Sequence, residues 1–83
     1  MSTSNILADS PIRAEYEQGE IVVHMKSGRV VRFRASLNDR LAKGTPVQLA
    51  RIEVSPYGLH WPDLDEDLSF RGLLQGDFGQ RRG

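Results

Sequence analysis

The chain has 83 residues, with 11 basic side chains, 11 acidic ones and no cysteine. That length admits one small domain, which buries only roughly 60% of its unfolded surface and leaves little room for an internal pocket. Balanced charge argues against a protein whose main task is neutralising nucleic-acid phosphates, and the missing cysteines remove disulfides, thiolate zinc sites and thiol catalysis together.

The opening MSTSNILADS is polar and aperiodic, with no basic region followed by an apolar run, and no stretch of the chain approaches the apolar length that spans a bilayer. Residues 1–10 are expected to form a flexible lead-in, 11–76 a single domain and 77–83 a flexible tail, in a cytoplasmic protein. Within the domain, Ile12, Ala14 and Tyr16 alternate with Arg13, Glu15 and Glu17, which predicts a strand over Ile12–Gln18 and a turn at Gly19.

GEIVVHMKSGRVVRFRAS follows, two β-rich runs around a Ser-Gly turn. A three-residue loop, Lys26-Ser27-Gly28, puts Gly28 where a left-handed residue is needed. It pairs Val23 with Val31 and Ile21 with Phe33 on a core face, and leaves Val22, His24, Val30 and Arg32 on a wet one. Glu20 then stands opposite Arg34 as a cross-strand ion pair. SLNDRLAKG reads as a short helix with Ser36 as N-cap, Leu37 and Leu41 on one side and Gly44 as the stop. Thr45 and Pro46 start a further helical turn.

Arg51–Ser55 and Leu59–Trp61 are predicted strands joined through Pro56-Tyr57-Gly58. After the acidic stretch a last helix should turn Leu68, Leu73 and Leu74 toward the sheet, with Asp65 or Ser69 as N-cap and Gly76 as stop. The expected fold is a two-layer α+β domain. One antiparallel sheet of about five strands, Ile12–Gln18, Glu20–Lys26, Arg29–Ala35, Arg51–Ser55 and Leu59–Trp61, is packed on one side by two short helices.

Two surfaces carry chemistry. Asp63, Asp65, Glu66 and Asp67 crowd beside His60 and the single Trp61. The three aspartates fill the first, third and fifth places of a calcium loop, but Leu68 stands where the loop needs glycine and Leu74 where it needs a bidentate glutamate, so no metal or cofactor is expected. Nor does a nucleophile stand beside a base, or a carboxylate pair in contrasting surroundings, so no catalytic residues are assigned and the chain is not expected to be an enzyme. A metal-dependent enzyme at His60 and Asp63 is the weakest reading. Trp61 and the leucines are expected to close the core and the carboxylates to cap the last helix, while the surplus acids, with His60, bind a basic protein partner. The second surface is basic: Lys26, Arg29, Arg32 and Arg34 on the hairpin form an alternative face for nucleic acid. Val22 and Val30 on that face leave monomer and homodimer equally open.

SGRVVRF and LAKGTPVQLARIEVSPYGLHWPDLDEDLSFRGLLQG together resemble the bacterial family of domain of unknown function 2442. Its members show an Asp-Gly-Arg hairpin turn, a TPEQLA-like segment and a closing GIHWPELDEDLSVEGLL. The likeness covers residues 12–76 and departs at Ser27, Val47 and Arg71, where the family has acidic residues. It implies a small α+β domain, joined in some relatives to a helix-turn-helix and in many encoded beside another short protein, as toxin–antitoxin pairs are. Ending at Gly83, this chain is expected to lack the helix-turn-helix. The implied role is a non-catalytic module that binds a small protein partner.

Overall fold

The computed structural model describes residues 9–79; most of the two expected flexible ends, 1–8 and 80–83, lies outside the described residues. Six strands run in the order β1 (Pro11–Glu17), β2 (Glu20–Met25), β3 (Val30–Arg34), β4 (Glu53–Ser55), β5 (Gly58–Trp61) and β6 (Glu66–Ser69). A 3₁₀ turn at Ala35–Leu37 follows β3. Three short helices complete the fold: α1 (Asp39–Ala42), α2 (Pro46–Ala50) and α3 (Phe70–Leu74).

The strands form two antiparallel three-stranded sheets, β1-β2-β3 and β4-β5-β6, in place of the single five-stranded sheet that the sequence suggests. β4 packs against β1 without joining its ladder, and the inner faces of both sheets meet in one core. The α+β class stands. The extra strand is β6, which lies where a helix was expected: Leu68 belongs to the sheet, opposite Leu59, and the last helix begins only at Phe70.

The first sheet is built as its side-chain pattern dictates. Gln18 (φ 49°) and Gly19 (φ 86°) form the two-residue left-handed turn between β1 and β2. Met25 to Arg29 closes the second hairpin, with Gly28 at φ 97°. The register pairs Val23 with Val31 and Ile21 with Phe33, as alternation requires. Three details differ from expectation. Arg32, diagonal to Glu20 across the ladder, and not Arg34, directly opposite it, takes the Glu20 carboxylate at 3.0 Å. A register shift between Pro11 and Arg13 turns Ile12 outward, 62% exposed. Val22, on the outer face, is only 2% exposed, since it sits mid-strand in the central strand, beside Glu15 and Arg32.

Ser36 and Leu37 lie in the 3₁₀ turn, and Leu37 is exposed; Asn38 caps α1 instead of Ser36. α2 starts as its sequence demands, with a reciprocal Thr45–Gln48 capping box and Pro46 in its first turn. Ser69 caps α3, and Gly76 follows it with φ 80°. Trp61 is fully buried among Leu49, Leu59 and their neighbours, and its indole N–H donates to the Leu49 carbonyl at 3.1 Å. It is a core residue. Phe78, in the expected tail, stacks on Phe33 with centroids 4.5 Å apart.

Candidate functional site

The acidic stretch forms the β5–β6 connection and β6 itself. Strand periodicity divides its carboxylates between two faces. Glu66 lies opposite Trp61, on the face of Leu59 and Leu68 that points to the core, and Asp67 lies opposite His60 on the outer face. A carboxylate at the margin of a core needs partners. Glu66 has them: Asn38 Nδ2 donates to its Oε2 at 2.7 Å, and Arg40 Nε stands 3.9 Å from its Oε1.

Asn38 is the centre of this arrangement, with no exposed surface. Its Oδ1 accepts from the backbone N–H groups of Arg40 and Leu41, and its Nδ2 donates to Glu66 and to the Phe78 carbonyl at 2.8 Å. One side chain thus joins α1, β6 and residues 77–79. Sequence reading passed over Asn38 because Ser36 offers an equally good cap; the cue was that Asn38 is followed directly by Asp39, a first-turn acid, with Leu41 at the third helical position.

The other acids also meet an arginine or a histidine of their own chain. Asp63 pairs with Arg51 at 3.0 Å, the side chain of Arg40 reaches the Asp65 carbonyl at 3.0 Å and its carboxylate at 3.7 Å, and His60 Nδ1 bonds Asp67 at 2.7 Å. Asp63 therefore pairs with Arg51, not with His60. No acid lies in the first turn of α3, so these carboxylates do not cap it as expected. Among the described residues no three carboxylates or histidines converge as a metal-ligand set.

The basic hairpin presents a different balance. On its outer face His24 Nε2 lies 3.0 Å from Glu15 and 3.1 Å from Arg13, and Arg32 holds Glu20. The bond from His24 holds the Glu15 carboxyl below its ordinary range, helped by the nearby arginines. Lys26, Arg29 and Arg34 form no ion pair among the described residues. Arg29 is near enough to Asp9 to help hold its carboxyl down, as the smallest of several causes.

Asp9 itself secures the hairpin tip. Its carboxylate accepts from the Ser27 hydroxyl at 2.7 Å and the Ser27 N–H at 3.0 Å, while the Ser10 carbonyl accepts from the Lys26 N–H at 2.8 Å. These bonds, the Ser27 hydroxyl first, hold the Asp9 carboxyl below the ordinary aspartate range. A depressed carboxyl contributes stability above its unfolded value and loses it as pH falls through the folded one. The Ser27 amide resonance is therefore expected to titrate with a midpoint below that of an ordinary aspartate carboxyl, and an ordinary or raised midpoint would show the tip unanchored by Asp9.

A recess of about 620 Å³ opens where the β1–β2 turn and the end of β3 meet α1 and α2; Glu17, Glu20, Arg32 and Arg34 line it above Leu41 and Leu49. No helix among the described residues is long and apolar enough to cross a membrane.

Comparison with known proteins agrees with this geometry. The model of a family described as protein of unknown function (DUF2442) matches residues 11–79. A crystal structure of a protein of unknown function from Rhodospirillum rubrum is similar with a TM-score of 0.78 at 32% identity, over 88% of this chain and 93% of that one. The solution structure of an uncharacterised protein from Chromobacterium violaceum gives 0.75 at 32% identity, over 86% of this chain and 69% of the other. Among curated proteins there is no match.

Proposed function

The chain belongs to the DUF2442 family of proteins of unknown function, and from that premise we propose that it is a non-catalytic, cytoplasmic module that binds a small protein partner, in an antitoxin-like or regulatory role. The observation that carries the reading is the difference between the two charged surfaces. Every acid from Asp63 to Asp67 meets a cation or histidine of its own chain, whereas Lys26, Arg29 and Arg34 meet no such partner among the described residues. Charges already matched internally add little to an interface, and unmatched ones steer an oppositely charged partner. The partner surface is accordingly the hairpin β2–β3, and the partner is acidic there.

The same cations favour a second reading, in which a nucleic acid takes the protein's place. Capture of the tagged protein from its native cells, with and without nuclease, separates the two. A stoichiometric small protein is expected to survive nuclease and to be lost from the double variant Arg29→Glu/Arg34→Glu. Material that vanishes with nuclease would establish the nucleic-acid reading. Loss on Asp65→Asn/Asp67→Asn instead would return the partner site to the acidic turn.

A further inference from the structure

β3 is an edge strand, and its backbone is half unused. Hydrogen bonds from Met25 N–H to the Arg29 carbonyl and from Ala35 N–H to the Gly19 carbonyl bracket the β2–β3 ladder. Between them the register pairs Val31 with Val23 and Phe33 with Ile21. In an antiparallel ladder bonded pairs alternate with unbonded ones, so residues 29, 31, 33 and 35 face β2. The N–H and C=O groups of Val30 and Arg32 and the N–H of Arg34 therefore face outward, and no inter-element or side-chain bond among the described residues takes them, while the Arg34 carbonyl opens the 3₁₀ turn that follows.

We infer that the partner adds to β3 as an extended acidic strand, an inference that rests on the hairpin being the partner surface. Strand addition uses such a row of free backbone groups for affinity and the alternating side chains for specificity. On the outer face the new strand would lie beside Val30, Arg32 and Arg34, with Arg34 lacking an ion pair, and would place acids there. On the inner face it would lie beside Val31 and Phe33. Val31 is only half-buried, so that margin of the core is open to apolar side chains. The matching segment alternates acidic and apolar residues.

A second copy of the chain fits the edge poorly. Antiparallel pairing of β3 about its own centre sets Arg32 against Arg32, and like charges directly opposite are destabilising. The occupant is therefore a different chain, with charge opposite to this strand.

The test uses the full chain and a capped peptide of alternating glutamate and valine, read by amide hydrogen exchange. The expected result is that exchange at Val30, Arg32 and Arg34 slows by about tenfold or more, while Val31 and Phe33, already bonded, change little. Val30→Pro removes an outward N–H that serves no internal bond and is expected to weaken peptide binding, with the slow amides of Ile21 and Val23 reporting that the sheet is intact. A lysine–valine peptide should not bind.

Peptide binding without protection of the three amides would overturn strand addition yet leave the cationic partner surface standing. Absence of binding would overturn the acidic-strand occupant. Protection that appears without peptide and grows with protein concentration would put a second copy on the edge, and protection by duplex DNA alone would put nucleic acid there; either overturns the inference.

Discussion

Replacing Trp61 by alanine is expected to cost about 3–5 kcal/mol, the range for deleting a large buried aromatic side chain. A domain of this size has roughly 4–12 kcal/mol of stability in all, so the variant should be partly or wholly unfolded at ambient temperature. Two losses add up. The indole is fully buried where the two sheets share their core, and its N–H satisfies the Leu49 carbonyl of α2. Trp61→Phe keeps most of the volume but leaves that buried carbonyl without its donor, and should fall between alanine and the parent. Urea unfolding followed by far-ultraviolet circular dichroism measures all three. Were Trp61 an interface anchor, the alanine variant would remain as stable as the parent.

Asn38→Ala is the second large effect, expected at about 2–4 kcal/mol from a lost helix cap and lost buried hydrogen bonds. Asn38→Asp separates the two contributions. Aspartate caps a helix about as well as asparagine, so a pure capping role predicts little change. The amide, however, donates to Glu66 at 2.7 Å and to the Phe78 carbonyl. An aspartate carboxylate would turn both donors into acceptors and set a second negative charge against Glu66. Asn38→Asp is therefore expected to be at least as destabilising as Asn38→Ala at neutral pH, by the same unfolding measurement.

What could be read from the sequence follows from where local rules and tertiary partners agree. The β2–β3 register was legible because Ile21, Val23, Val31 and Phe33 are apolar at alternate positions and Gly28 closes the loop. The Thr45-Pro46 start of α2 was legible for the same reason: cap and first-turn proline act locally. β6 was not. Its inward positions are Glu66 and Leu68, and a glutamate in one of two core-facing places hides the alternation. The partners that make Glu66 acceptable, Asn38 and Arg40, lie well over twenty positions earlier and are invisible to a local pattern. With β6 unseen, the acids looked like a helix cap with a surplus, and the second sheet lost its third strand. The outward turn of Ile12 escaped for a related reason, since alternation carries no mark of the shifted register between Pro11 and Arg13.

The candidate residues were themselves legible as charge clusters, but their standing was not. Sequence shows that Asp63, Asp65, Glu66 and Asp67 are concentrated; only the fold brings Arg40, Arg51 and His60 to them. It likewise shows four hairpin cations, and only the ladder tells that Arg32 has a carboxylate partner while Lys26, Arg29 and Arg34 have none among the described residues.

The proposed function divides the two charged surfaces: the acidic turn serves the fold and the hairpin cations serve a partner. Urea unfolding of Glu66→Ala beside Arg29→Gln/Arg34→Gln tests this most directly. Glu66→Ala is expected to lose about 1–3 kcal/mol, because Asn38 keeps a buried donor without its acceptor. The hairpin variant is expected to stay within about 0.5 kcal/mol of the parent, as exposed unpaired charges do. An unchanged Glu66→Ala, or a hairpin variant destabilised as much as it, would contradict the account.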